Sequence, residues 1–205
     1  MIDTATDRDV PAAATVLAAA FADDDVVAAF VPRRRPRRAA RLRELFTAVL
    51  RTGALHGGVV DLARAVDDGR VLGVAAWEAP DAPGGARRSL GQLPRSLRAV
   101  GVGNAPTALR AVAAMARARP SAPAWYLAEI GTGPGARGLG VGGALLRHRT
   151  ARLDALGSAA YLEATTERSA ELYARHGFRR LLTIGGVPGA QPIGMWRDPG
   201  TVDSS

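Results

Sequence analysis

The segment Arg137-Gly138-Leu139-Gly140-Val141-Gly142-Gly143 constrains this chain more than any other. It follows an apolar, strand-like run, Trp125-Tyr126-Leu127-Ala128-Glu129-Ile130, and leads into Ala144-Leu145-Leu146-Arg147, the start of an amphipathic helix. A strand, a glycine-dense turn and a helix N-terminus together suit an anion. The first N–H groups of a helix lack intrahelical partners and carry the positive end of its dipole. Glycines let a phosphate approach the backbone, because no Cβ stands in the way. A Walker A loop would end in Gly-Lys-Ser/Thr, and the chain contains no lysine. Gly138, Gly140, Gly142 and Gly143 do not give the Gly-x-Gly-x-x-Gly spacing of a dinucleotide fold, although Glu163 lies about twenty residues on, where such a fold would place an acid.

The bulk properties narrow the class. A chain of 205 residues, 47% hydrophobic, is long enough for one domain with a sizeable core. No apolar run reaches the length of a bilayer span. Met1-Ile2-Asp3-Thr4 lacks the basic and apolar regions of a signal peptide, so a cytoplasmic protein without membrane contacts is expected. The absence of cysteine excludes disulfides, thiolate metal sites and a cysteine nucleophile. His56, His148 and His176 do not cluster, so no metal is expected, and His148 and His176 read as helix-surface residues. The net charge of +8 is carried by arginine, most densely at Arg33, Arg34, Arg35, Arg37, Arg38, Arg41 and Arg43. Prolines break this cluster and no aromatics are interleaved to stack bases, so a solvated surface is favoured over nucleic-acid binding.

Periodicity predicts a short edge strand over 2–5, a helix opening at Asp9-Val10-Pro11 with Asp9 as cap, a further turn over 26–31 and a helix over 37–55. Strands over 59–66 and 71–77 flank the hairpin turn Asp67-Asp68-Gly69-Arg70. Helical pieces over 88–102 and 105–118 lie in a long insert, 79–123, expected to cover the substrate side. Strand 124–132, helix 140–156, strand 159–165, helix 167–175 and strands 178–186 and 192–197 complete the pattern; 201–205 reads as a flexible tail. The expectation is an α/β (α+β) domain over 1–200, with six or seven mostly antiparallel strands and helices on both faces. Its one parallel pair is joined by the helix after the glycine turn.

Arg137, Gly140 and Gly142 fit Arg/Gln-x-x-Gly-x-Gly/Ala, which resembles motif A of the GNAT acyl-CoA N-acyltransferases. Residues 161–178, with Glu163 ending a strand, Leu172-Tyr173 on a helix and then His176-Gly177-Phe178, resemble that superfamily's motif B in the right order and spacing. The resemblance implies the GNAT fold, acetyl-CoA as cosubstrate and a core for it over 124–180. Two strands are expected to splay at a bulge, with which Gly131 and Gly133 before Pro134 are compatible. It implies that backbone groups of Ile130 and Thr132 pair with pantetheine. The amides of Arg137, Gly138, Gly140, Val141, Gly142 and Gly143 would take the pyrophosphate. Thr166 and Ser169 stand where a coenzyme-contacting asparagine is usual and are candidates for that contact with different reach, and Thr132-Gly133-Pro134-Gly135 replaces an apolar-Asp-Pro stretch.

Acyl transfer needs a neutral amine, stabilisation of the oxyanion and a proton for the departing thiolate. The resemblance gives the acid role to Tyr173. Glu129 and Glu163 interrupt apolar strands, where desolvation raises a carboxylate's pKa toward that of a useful base, although relay through water needs no single base. Segments over 5–11, 17–23, 42–46, 73–77 and 122–127 further resemble puromycin N-acetyltransferase and its relatives, which implies a small-molecule primary amine, an antibiotic or a metabolite. Phe21 and Trp77 are candidates for its apolar wall and Asp23 for attracting its charge, with helix breaking and capping the other reading of Asp23-Asp24-Asp25. A protein or peptide acceptor and a non-catalytic acyl-CoA sensor are the alternatives; a monomer and a homodimer are both compatible.

Overall fold

The computed structural model describes residues 1–80 and 85–200, with the side chains of 85–90 excepted; the predicted tail at 201–205 lies outside the described residues. Among them, seven strands form one sheet in the order β1-β2-β3-β4-β5-β7-β6. The strands are β1 (Ile2–Thr4), β2 (Gly58–Arg64), β3 (Val71–Glu78), β4 (Trp125–Thr132), β5 (Ala160–Ala164), β6 (Arg179–Thr183) and β7 (Ile193–Arg197). Every neighbouring pair is antiparallel except β4–β5, the pair joined by a helix.

Side chains alternate across the sheet and divide the core in two. On one face Val60, Leu62, Val74 and Ala76 pack beneath α1 (Val10–Ala20) and α3 (Arg38–Thr52), where Leu17, Leu42, Phe46 and Leu50 fill the layer. On the other, Ala75, Trp77, Leu127 and Leu162 meet α7 (Val141–Ala155) and α8 (Glu167–Ala174) through Leu145, Leu146 and Tyr173. A smaller cluster joins α2 (Asp25–Phe30) to α6 (Ala105–Ala118) and to Ile184 and Val187. The short α4 (Ala54–Gly57) leads into β2, and α5 (Gly85–Val100) packs on α3.

Several local expectations change. The predicted helix over 37–55 breaks at Gly53 into α3 and α4. Asp9 does not cap α1 with its side chain; its carboxylate accepts from Thr6 N–H at 2.8 Å and from Arg64 at 2.7 Å. These bonds hold its pKa down at about 2. Asp24 is the true cap of α2, accepting from Val27 N–H at 2.9 Å. Much of the arginine cluster works inside the molecule: Arg38 donates to the carbonyls of Val31 and Ala22, and Arg41 to those of Arg98 and Ala99. Among the described residues no helix is long and apolar enough to cross a membrane.

Candidate active site

β4 and β5 pair only over Trp125–Leu127 and Ala160–Leu162, then part. The cause lies on the opposite side of β4. Opposite β3, Ala76 pairs with Glu129 and Trp77 with Leu127, which leaves Ala128 as an extra residue. This bulge reverses the alternation of β4. Leu127 and Ile130 both face the α7 core, whereas Glu129 turns to the α1–α3 face. Gly131 and Gly133 are compatible with a bulge by sequence, but the extra residue is Ala128. Gly131 serves a different need, because a Cβ there would stand 2.7 Å from that of Ala20 on α1.

Past the bulge, β4 has a free edge. Gly133 N–H bonds to Leu72 O of the strand beside it, so alternation turns the backbone groups of Ile130 and Thr132 away from β3, into the gap. The gap is a slot of about 40 Å³ bordered by Phe21, Leu127, Ala128, Glu129, Ile130, Leu162, Glu163, Thr165 and Tyr173. It adjoins a cavity of about 120 Å³, with which it shares Phe21, Ala128, Glu129, Glu163 and Thr165. Helices α2, α3 and α6 wall this cavity with Val26, Val27, Phe30, Leu45, Phe46, Val49 and Met115.

Just beyond the C-terminal end of β4 stands the glycine turn. Gly138 and Gly140 have φ of 79° and 74°, left-handed values that L side chains rarely adopt. Gly140 is the N-cap of α7 and no side chain caps the helix, so its first amides lack intrahelical acceptors. A Cβ at Gly135, Gly138 or Gly140 would meet nothing within 4 Å, so the space beside the turn is open. Exposed Arg137 and Arg147 add positive charge, and Arg137 also ties the turn to α1 through Ala19 O at 3.4 Å. These residues fit a diphosphate: uncapped amides, a positive helix end and room for oxygens.

Tyr173 borders the slot and is 8% exposed, with its ring edge-on to Phe178. Burial, reinforced by the charges of Glu129 and Asp24, pushes its phenol well up, so it keeps its proton at neutral pH. Burial also drives Glu129 well above the usual carboxylate range, with Asp24, Glu163 and Glu78 adding repulsion. Glu163 is raised by burial too, but Arg119, Tyr126 and Tyr161 oppose the rise. The Tyr126 hydroxyl donates to Glu163 at 2.5 Å, Arg119 Nε lies 3.5 Å from its other oxygen, and the rings of Tyr126 and Tyr161 stack across β4 and β5 at 6.2 Å.

The structure thus brings Glu129, Glu163, Tyr173 and Phe21 to one slot. It does not bring Trp77 or Asp23 there. Trp77 is fully buried on the opposite face, among α7 residues, because β3 alternates without interruption at that point. Asp23 is exposed and lies outside the cavity wall; Asp24 is the acid whose charge reaches Glu129 and Tyr173. Thr166 and Ser169 satisfy one another in a capping box at the start of α8, with Thr166 Oγ1 accepting from Ser169 N–H at 3.1 Å. His148 is not a surface residue in function, since its Nε2 faces buried Asp61 at 3.8 Å. Sequence reasoning missed Tyr126, Tyr161 and Arg119. The parallel register that sets Tyr126 beside Tyr161, two residues before Glu163, was the available signal for the tyrosines.

A splayed parallel pair, a glycine turn at a helix start and a phenol beside the slot define a GNAT-type acyltransferase fold. The chain belongs to the GNAT acetyltransferase family, and it is an acetyltransferase by class. The acetyltransferase (GNAT) domain family matches residues 107–180. A histone acetyltransferase HPA2 and related acetyltransferase from Corynebacterium glutamicum ATCC 13032 is 35% identical, with 98% of this chain and 97% of that one covered and a TM-score of 0.77. Two more distant structures share the fold. The polyamine N-acetyltransferase of Drosophila melanogaster, which catalyses formation of N-acetylagmatine, is 18% identical over 96% and 97% of the two chains, with a TM-score of 0.59. An N-acetyltransferase from Staphylococcus aureus Mu50 is 15% identical over 96% and 99%, with a TM-score of 0.63. Among the described residues no group of acids and histidines could hold a metal ion.

Proposed function

We propose that this cytoplasmic enzyme transfers an acetyl group from acetyl-CoA to a primary amine of a small molecule, an antibiotic or metabolite, by direct attack in a ternary complex. The observation that carries the reading is a slot, bordered by Tyr173 and Glu129, that shares walls with an apolar cavity and lies beside the strand that leads into the glycine turn. In this reading the amides from Arg137 to Gly143 hold the pyrophosphate, and Ile130 and Thr132 hydrogen-bond the pantetheine arm. Residues 124–180 form the coenzyme-binding core, and the insert at 79–123 covers the acceptor through Met115.

Glu129 takes a proton from the bound ammonium, directly or through water, and the neutral nitrogen attacks the thioester carbon. The C–N bond forms, the C–S bond breaks, and Tyr173 donates its proton to the leaving thiolate. The second amine proton returns through the site, so one proton is released per turnover. A protein or peptide acceptor is less well supported, because helices α2, α3 and α6 wall the cavity where a peptide would need an open groove. The resemblance to puromycin N-acetyltransferase supports an amine-bearing antibiotic as one acceptor class.

The test is thiol release from acetyl-CoA with a panel of small amines and peptides, together with calorimetry of coenzyme binding. Turnover on small amines is expected. Neither turnover nor coenzyme binding would overturn the reading, and turnover on peptides alone would replace the acceptor. Tyr173→Phe is expected to lower kcat by about a hundredfold while sparing coenzyme affinity; equal loss of both would make this phenol a packing residue.

A further inference from the structure

Arg119 follows α6 directly and leans back over β4. Its guanidinium lies 3.5 Å from the centroid of the Tyr126 ring, and its Nε lies 3.5 Å from Glu163 Oε1. Its side chain is 41% exposed while that of Glu163 is 5% exposed, so Arg119 stands toward solvent and the carboxylate lies beneath. Glu78 attracts it as well. An aromatic face and a carboxylate around a planar cation are the means by which proteins recognise cationic ligands. Here the cation belongs to the chain itself. Glu163 Oε1 is buried and makes no hydrogen bond, its nearest cation being Arg119 at 3.5 Å.

Most of the remaining wall of the cavity is hydrocarbon, from Val26, Val27, Phe30, Leu45, Phe46 and Val49, with Thr165 as a polar member. An acceptor with one ammonium near Glu129 finds an apolar site for its body. Tyr126 and Glu163 also line this cavity, so a second positive group would have to compete with Arg119 for them.

We propose that Arg119 fills a second cation subsite, made by Tyr126 and Glu163, and thereby restricts the enzyme to monoamines with an apolar body. Removing the Arg119 side chain vacates that subsite for acceptors with a distal cation. The inference rests on the acetyl-transfer reading for its kinetic arm only.

The experiment compares wild type, Arg119→Ala, Arg119→Gln and Arg119→Lys, using phenethylamine as monoamine and agmatine and putrescine as dications. Acetylation kinetics are measured with acetyl-CoA, and amine binding is measured separately by calorimetry. Wild type and Arg119→Lys are expected to favour phenethylamine. In Arg119→Ala and Arg119→Gln the ratio of kcat/KM for agmatine over phenethylamine rises about tenfold or more, the size of a charged hydrogen bond gained. The change comes through KM, and agmatine binding tightens in parallel. Adding Glu163→Gln to Arg119→Ala cancels the tightening. Unchanged agmatine binding in both neutral variants, with wild-type thermal midpoints, would overturn the proposal. If Arg119→Ala does not fold, the near-isosteric Arg119→Gln carries the test. Tighter agmatine binding without turnover of any amine would support the subsite and overturn the catalytic reading, so the two failures are distinct.

Discussion

Two strands of the sheet each carry a carboxylate in an apolar setting, Asp61 on β2 and Glu129 on β4, and they have opposite surroundings. Asp61 is fully buried and both its oxygens are claimed by Arg149 of α7, at 2.9 and 2.5 Å, with His148 at 3.8 Å. Among the described residues no hydrogen bond or ion pair reaches Glu129; its neighbours are Asp24, Glu163 and Glu78, and a cavity lies before it. A buried acid with both oxygens hydrogen-bonded is part of the framework. A half-buried acid surrounded by like charge and facing a cavity is poised to exchange a proton.

The largest expected effect tests the framework half of that contrast. Arg149→Ala leaves Asp61 buried without its partner, a loss of about 3–5 kcal/mol. For a chain of this size that lowers the thermal midpoint by about 10 °C. Replacing the pair together, Asp61→Asn with Arg149→Met, is expected to recover most of the loss, because no uncompensated charge remains. Equal losses in single and double variants would mean that packing, not charge, holds this contact.

Glu129→Gln tests the other half. Activity is expected to fall by about 10²–10³-fold, while the fold becomes no less stable, since a charge without a partner is no longer buried. The pH dependence follows from the raised pKa. A base must be deprotonated, so kcat/KM declines as pH falls through a value above the ordinary carboxylate range, and Glu129→Gln removes that limb. Stability runs the other way. The folded protein binds this proton more tightly than the unfolded chain, so wild type loses stability relative to Glu129→Gln as pH rises through the same range. Full activity in the variant would make Glu129 a second Asp61 and end the contrast.

The sequence carried the framework further than the site. Alternation and turn chemistry were legible: the Asp67-Asp68-Gly69-Arg70 hairpin joins β2 to β3 with Gly69 at a φ of 71°, and the helix between β4 and β5 makes them parallel. The glycine turn and Tyr173 were legible because their spacing is local. Ala128 was not. Nothing in its side chain marks a bulge, which is set by the register of β4 against β3, yet it decides which face Glu129 occupies. Trp77 looked like a substrate wall for the converse reason, since composition does not say which face of β3 is which. Arg119 lies in a Pro- and Ser-containing link, where only the folded chain brings its guanidinium over Tyr126.

A smaller effect separates backbone geometry from space at the glycine turn. Ala at Gly140 has open room for its Cβ but must hold φ near 74°, at a cost of about 1–2 kcal/mol. Coenzyme affinity is expected to drop about tenfold in Gly140→Ala. It should change little in Gly142→Ala, where the backbone is helical and the nearest atoms are 3.9 Å from the added carbon. Similar losses in both would mean that room for the ligand matters, and not the direction of the amides.

The smallest expected effect concerns Glu163, which stands between the two extremes. It keeps one strong partner, Tyr126, and one oxygen without a hydrogen bond. Tyr126→Phe removes the hydroxyl but retains the ring that Arg119 covers. Losing that donor is expected to cost about 1 kcal/mol and to push the Glu163 pKa further up, since the tyrosine now lowers it. If Glu163 belongs with Asp61, Tyr126→Phe alters the thermal midpoint and leaves kcat within about twofold of wild type. If it belongs with Glu129, the acid limb of the pH–rate profile moves upward while the midpoint barely changes. The buried oxygen held only by the long 3.5 Å ion pair with Arg119 favours the second outcome, because a carboxylate built only for stability would have had that oxygen hydrogen-bonded as both of Asp61's are.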